Sequence, residues 1–313
     1  MRTNLVASSI ALCLLLAAAG CSGGASGGAD LGAGADLAPP PDLAPSNALV
    51  AARPYEVEVP PSYDGKTALP LVIVLHGFGV DGLTEARYLG LSRLAPTAGF
   101  LLAYPEGTKN EKGQRFWNAG FPIVPDAGAL PDDIAYVEAV IDDVAAHYAV
   151  DRWRVHLVGH SNGAFLAQYF ACRRPERVAS LVSLAGGMME GVDCKIGKPV
   201  QLVEIHGTMD DTIELGGGSI LGMPYRPLND VVDMWVARNR CLATPDEKAP
   251  PLDLEASLPG DETKVSRYLQ CEHGGLVELW TIRGGGHIPT PSRTFAETIW
   301  RFLKIHPRPD TLN

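Results

Sequence analysis

No run of Lys and Arg long enough to neutralise a phosphate backbone occurs in this chain of 313 residues, and its formal net charge is −10 at pH 7. Nucleic-acid affinity is built on such cations, so a nucleic-acid partner is excluded. Cys-x-x-Cys pairs are missing as well, and no metal site is expected. An apolar run able to span a bilayer is also lacking. The longest, Leu5 to Ala19, is too short and leads into Gly, Ser and Ala, with no charged flank to stop its transfer. With Arg2 before it and small residues at 17–20 after it, the segment 1–20 reads as a signal peptide.

Residues 22–51 hold no aromatic side chain; they are mostly Gly, Ala, Pro, Asp and Leu, with Asp-Leu recurring at 30, 36 and 42. Such a stretch buries too little apolar area to offset its conformational entropy, so it reads as a tether, stiffened by the Pro run at 39–41. Just before it, Ala18-Ala19-Gly20-Cys21 resembles the bacterial lipobox, whose Cys becomes the lipidated first residue of the mature protein; Ala18 stands where that motif usually has Leu. Acyl chains on Cys21 would hold the protein on a membrane surface, at about 0.8 kcal/mol per buried methylene. The remainder, 52–306, reads as a single globular domain with a short tail at 307–313. A composition of 46% hydrophobic and 20% charged residues suits a chain that buries a sizeable core.

Tyr55, Val57 and Val59 alternate with Glu56 and Glu58, the period of an edge strand with one buried face. Continuous apolar runs at 71–75, 100–104, 155–158, 178–185, 200–205 and 277–282 have the character of strands covered on both faces. Helical spacing is clearest over 133–148, where Asp132 or Asp133 can cap the N-terminus, and is repeated over 164–172, 230–239 and 292–303. Strands alternating with helices predict an α/β fold, a mostly parallel sheet with helices on both faces. Ligands then bind beyond the carboxyl ends of the strands.

Three such ends carry chemistry. Gly159-His160-Ser161-Asn162-Gly163 follows an apolar strand and precedes a helix, the context in which Gly-x-Ser-x-Gly makes a sharp turn that exposes the Ser. A serine hydroxyl needs a base in hydrogen-bond reach and an acid to fix the base's tautomer. Asp210 lies in the loop after strand 200–205, and His287 follows three glycines after strand 277–282; the order Ser, acid, His is the one this kind of fold uses. Asp211 reads as a solvated loop residue, His206 as a structural hydrogen-bonding group, and His160 as pointing away with no role. Oxyanion donors are expected at the backbone N–H groups of Asn162 and of Phe78 in His76-Gly77-Phe78-Gly79. Such a triad needs no cofactor. Setting Cys13 and Cys21 aside leaves Cys172, Cys194, Cys241 and Cys271, which in an oxidising compartment form two disulfides in one of three pairings.

These residues together resemble one family. Leu71-Val-Ile-Val-Leu-His-Gly77, Tyr104-Pro-Glu-Gly107, Trp117-Asn118, Asp133, Arg154-Val-His156, Gly159-His-Ser-Asn-Gly163, His206-Gly-Thr-Met-Asp210 and Gly284-Gly-Gly-His287 look like the polyhydroxybutyrate-depolymerase and feruloyl-esterase family of α/β hydrolases. The resemblance covers about 53–306 and implies carboxylic-ester hydrolysis by Ser161, His287 and Asp210. Cys241 and Cys271 resemble a cysteine pair of that family, which leaves Cys172 with Cys194. Many members follow the catalytic His with Trp-Pro, where this chain has Ile288-Pro289. Trp117 is a candidate to line the substrate pocket, an exposed or core Trp being the equal alternative. The substrate would be an ester, for example a hydroxyalkanoate polymer or oligomer or a feruloylated or acetylated polysaccharide. The rival readings are a peptidase or thioesterase with the same triad, or a surface lipoprotein that only binds; a binder has no need of nucleophile, base and acid together.

Overall fold

Along 71–75 successive side chains enter two different cores: Leu71, Ile73 and Leu75 pack into one, Val72 and Val74 into the other. That is why the run is apolar without alternation, and it sets the plan of the molecule. The computed structural model describes residues 47–121, 130–194 and 197–308. The segment read as a signal peptide, Cys21, and the segment read as a tether as far as residue 46 lie outside the described residues.

Among the described residues, eight strands form the main sheet: β1 (Glu56–Glu58), β2 (Leu69–Leu75), β3 (Leu101–Tyr104), β4 (Val150–His160), β5 (Ser180–Leu184), β6 (Gln201–Gly207), β7 (Thr263–Tyr268) and β8 (Leu276–Ile282). Their spatial order is β1-β3-β2-β4-β5-β6-β8-β7. The strands β3, β2, β4, β5, β6 and β8 run parallel, while β1 and β7 close the two edges antiparallel. Helices Asp133–His147, Asn162–Arg173 and Leu228–Arg238 cover one face, and Gly82–Tyr88, Leu91–Ala98 and Phe295–Ile305 the other. This is the expected α/β architecture with helices on both faces.

Several elements differ from the sequence reading. The edge strand β7 was not anticipated: in Thr-Lys-Val-Ser-Arg-Tyr the outward positions are polar, and only Val265 reads as core. Helices Gly82–Tyr88 and Leu91–Ala98 were also missed; each is short, and Pro96 interrupts the second pattern. The one-turn helix Ala48–Ala52, inside the segment read as tether, buries Val50 against the first core. Both disulfides pair as expected, Cys172 with Cys194 and Cys241 with Cys271.

Candidate active site

The turn after β4 forces Ser161 to φ 52° and ψ −121°, a left-handed conformation rarely adopted by a residue with a side chain. Its flanking glycines have a steric cause. A Cβ on Gly159 would lie 2.3 Å from the carbonyl oxygen of Gly163, and one on Gly163 would lie 2.0 Å from that of Leu75. Helix Asn162–Arg173 can therefore start directly against the end of β2. Ser161 is held there by its N–H, which donates to Leu184 O at 2.9 Å.

Asp210 and His287 come from the loops after neighbouring strands, β6 and β8, and these loops are stitched together. Thr208 N–H donates to Ile282 O at 2.9 Å, Met209 N–H to Gly285 O at 2.8 Å, and Gly284 N–H to Thr208 Oγ1 at 2.8 Å. A Cβ on Gly207 would come within 2.2 Å of Gly285 O, so this contact requires glycine. Ser161, Asp210 and His287 then meet: His287 Nε2 lies 2.9 Å from Ser161 Oγ, and His287 Nδ1 lies 2.9 Å from Asp210 Oδ2. The ionised Asp210 only accepts, so Nδ1 carries the proton and Nε2 is left to accept from the serine hydroxyl. Asp210 Oδ1 accepts from the N–H groups of Thr212 and Ile213 at 2.9 and 2.8 Å, which turns Oδ2 toward His287. Although burial favours the neutral acid, hydrogen bonds from His206 and His287 hold Asp210 well below the usual carboxylate range. Asp211 is exposed.

Phe78 and Asn162 follow closely on the ends of β2 and β4. Among the described residues no protein acceptor takes either backbone N–H. Gly77 sits flush against the nucleophile turn, since a Cβ there would be 3.6 Å from Ser161 Cβ. His76 orients this loop: its Nε2 accepts from Gly107 N–H at 2.9 Å, so Nδ1 is the atom that donates to Gly77 O at 2.7 Å. Burial pushes His76 down to about 4, which keeps it in that neutral form.

Trp117 does not line a pocket. It is 0% exposed, its indole N–H donates to His76 O at 2.9 Å, and the Asn162 side chain clamps its backbone, accepting from Trp117 N–H at 2.8 Å and donating to Trp117 O at 3.1 Å. An indole has one polar atom, and here the loop below the crevice takes it. Asp133 serves the same web, accepting from Asn118 N–H at 2.7 Å and pairing with Arg53 at 2.5 Å.

His160 departs from its expected lack of a role. Buried behind the serine, it donates from Nε2 to His287 O at 3.1 Å and places Nδ1 3.2 Å from Glu85 Oε1, while Glu85 Oε2 accepts from Gly77 N–H at 3.0 Å. The Glu85–His160 pair thus ties together the loop after β2, the serine turn and the loop of His287. Burial works against a charge on His160, yet the hydrogen bond and charge of Glu85 outweigh it and raise its pKa. His156 and His160 also have His-x-x-x-His spacing, which the sequence reading overlooked. They stand on a strand, where a rise of about 3.3 Å per residue puts them roughly 13 Å apart, beyond sharing an ion.

Ser, His and Asp side chains meeting at the carboxyl ends of parallel strands, with a strained serine turn between strand and helix, go with the α/β-hydrolase fold. The Esterase PHB depolymerase family model matches residues 54–215, just over half of the 313, and the chain belongs to that family. The chain is 26% identical over 244 residues to Feruloyl esterase B of Piromyces equi, covering 75% of this chain and 42% of that protein's length. It is 26% identical over 261 residues to Feruloyl esterase C of Emericella nidulans, covering 80% of this chain and 83% of the relative. Among solved structures, an acetyl xylan esterase from Aspergillus awamori superposes with a TM-score of 0.57 at 15% identity, over 80% of this chain and 93% of that one, a likeness of fold alone.

Proposed function

We propose that this protein is an exported serine esterase that cleaves carboxylic esters through an acyl-enzyme. The observation that carries this reading is the unbroken run of contacts Ser161 Oγ to His287 Nε2 and His287 Nδ1 to Asp210 Oδ2, each 2.9 Å. Ser161 Oγ attacks the ester carbonyl while its proton passes to Nε2, and the imidazolium so formed is stabilised by Asp210. The N–H groups of Phe78 and Asn162 receive the oxyanion; removing one such donor costs about 2.7 to 4 kcal/mol in comparable enzymes. His287 then protonates the departing alcohol. In the second half it takes a proton from water, which attacks the acyl carbon, and returns that proton to Ser161 as the acid leaves.

The named activities of the relatives favour feruloylated or acetylated polysaccharide, and the family name favours a hydroxyalkanoate polyester, as the source of the ester. Exposed Phe78, Met209 and Ile288 beside the reacting groups suit an apolar acyl or aryl group. Two disulfides suit export, and lipidation at Cys21 would keep the enzyme on a membrane surface.

The test is a panel of nitrophenyl and feruloyl esters with the wild type and Ser161→Ala, together with a fluorophosphonate probe. Expected is probe labelling of Ser161 alone and a fall in kcat of about 10⁴-fold or more in the variant. Amide turnover above ester turnover would point to a peptidase instead, and probe labelling that survives Ser161→Ala would sink the assignment.

A further inference from the structure

Behind the acid, the line of polar contacts does not stop. Glu204 and His206 both point from β6 to the same side, and both are buried. His206 Nε2 lies 2.8 Å from Ile213 O and 3.2 Å from Asp210 Oδ2, the same oxygen that meets His287. A carbonyl only accepts, so Nε2 carries a proton. On the other side of the ring, Nδ1 lies 3.5 Å from Glu204 Oε1.

The surroundings of Glu204 decide which of that pair holds the second proton. Trp235 Nε1–H donates to Gln168 Oε1 at 2.8 Å, which fixes the flip of the amide and aims its NH₂ at Glu204 Oε2, 2.9 Å away. Gln168 Nε2 also donates to Ser183 Oγ at 2.9 Å, which frees the Ser183 hydroxyl hydrogen for Glu204, and Gly186 N–H adds a further donor. Each of these neighbours donates. Burial raises Glu204 above the usual carboxylate range, but these donors and the His206 ring act against it; with every neighbour donating, both oxygens accept and the second proton belongs on the ring.

Resting on the triad proposed above, we infer that His206 is a permanently protonated positioning residue, an imidazolium held by Glu204 that fixes and electrostatically steadies Asp210 for His287. Ser161, His287, Asp210, His206 and Glu204 then form one line in which imidazoles alternate with carboxylates. No proton moves along its far half: both ring hydrogens of His206 stay in place while Ser161 and His287 exchange theirs. The charged groups in contact with His206 are Glu204 on its own strand and Asp210 in the acid loop; His287 lies across Asp210, Tyr225 of the hairpin strand Met223–Tyr225 acts on Asp210, and helix Asn162–Arg173 offers only the neutral Gln168. Against the effect of burial, Asp210 and Glu204 push His206 up to about 10, in line with this charge.

The direct test is nitrogen NMR of histidine-labelled full-length protein, with the His206 signals assigned by their loss in His206→Gln. Expected at pH 8 are two protonated ring nitrogens on His206, in the wild type and in Ser161→Ala alike; a neutral-imidazole pattern at pH 8 overturns the proposal. Because this readout needs no turnover, it stands whether or not the esterase assignment does. Kinetics give the second arm. In His206→Gln, which keeps an N–H for Asp210 but no charge, kcat falls about tenfold with KM little changed. The acid limb of kcat/KM moves to higher pH by about half a unit or more, because a cation no longer opposes proton uptake by the base. A purely structural His206 would lower the melting temperature and leave that limb where it is. Should His206→Gln fail to fold, Glu204→Gln serves, with the His206 signals assigned by elimination from single variants of the other histidines: they then titrate to the neutral form below pH 8, and their staying protonated overturns Glu204 as the holding group.

Discussion

Glu85 with His160 and Glu204 with His206 are both buried carboxylate–imidazole pairs, one on each side of the reacting groups, yet they end on different partners. His160 directs its far nitrogen at a backbone oxygen, that of His287, and Glu85 takes the backbone N–H of Gly77. His206 directs its far nitrogen at the side chain of Asp210. The first pair ties loops together, so it governs where atoms stand. The second touches a charge that must stay ionised during turnover, so it governs energy at fixed positions. Similar chemistry is used once as a fastener and once as an electrostatic support.

The sharpest way to break this contrast is to remove Glu85. In Glu85→Ala, His160 loses its buried counter-ion and Gly77 N–H loses its acceptor, a situation that typically costs about 3 to 5 kcal/mol. Urea unfolding should register it as a fall in midpoint. Adding apolar groups of similar size, Glu85→Met with His160→Phe, should recover most of that stability, since replacing both partners of a buried pair is often neutral. Turnover should stay low in the double variant, because the Gly77 N–H still has nothing to hold it and the oxyanion loop loses its anchor. Full recovery of kcat would mean that this pair contributes no more than volume.

A medium effect separates imidazoles that are charged when folded from those that are neutral. His206 rises from the usual 6.5 to about 10, so its contribution to stability is complete below pH 6.5 and is lost as pH climbs through 10. His160 is raised as well and acts in the same direction. Burial pushes His76 down to about 4 and His156 to about 3; their contribution is complete above pH 6.5 and is lost as pH falls toward those values. Asp210, held low, adds to the acid-side loss. Unfolding free energy should therefore peak near pH 6 to 7. In His206→Gln the decline between pH 7 and 10 should flatten while the acid side keeps its slope; an unchanged alkaline slope would remove His206 from the charged group.

That Ser161, Asp210 and His287 come together was legible because each follows a strand that the apolar runs mark clearly, and because Gly-rich turns at 159–163 and 284–286 leave few other readings of the chain there. The two supporting pairs were harder to see. Glu204 did leave a signal: an acidic residue inside Leu202-Val-Glu-Ile-His206, a run too apolar for an exposed strand, needs a buried partner, and His206 two places on lies on the same side of the sheet. Glu85 left none, as it sits on a helix of seven residues with weak periodicity, and its partner is 75 positions away in the chain. Trp117 misled for a related reason: a large amphipathic side chain near a catalytic motif suits a pocket wall and a buried strut equally, and only the position of His76 O decides between them.

The smallest expected effect lies at the edge of the fastening pair. Tyr88 packs its ring 5.5 Å from that of His160 and donates its hydroxyl to Pro289 O at 2.6 Å, two residues past the base. Burial keeps that hydroxyl protonated over the whole working range of pH. Tyr88→Phe keeps the ring and deletes the one bond, so about 1 kcal/mol of stability should go. Because Pro289 only steadies the far side of the base loop, kcat should drop no more than about threefold and the pH profile should keep its limbs. A shift of the acid limb in this variant would show that the His160 side also controls charge at the base, and the division between fastening and electrostatic support would have to be redrawn.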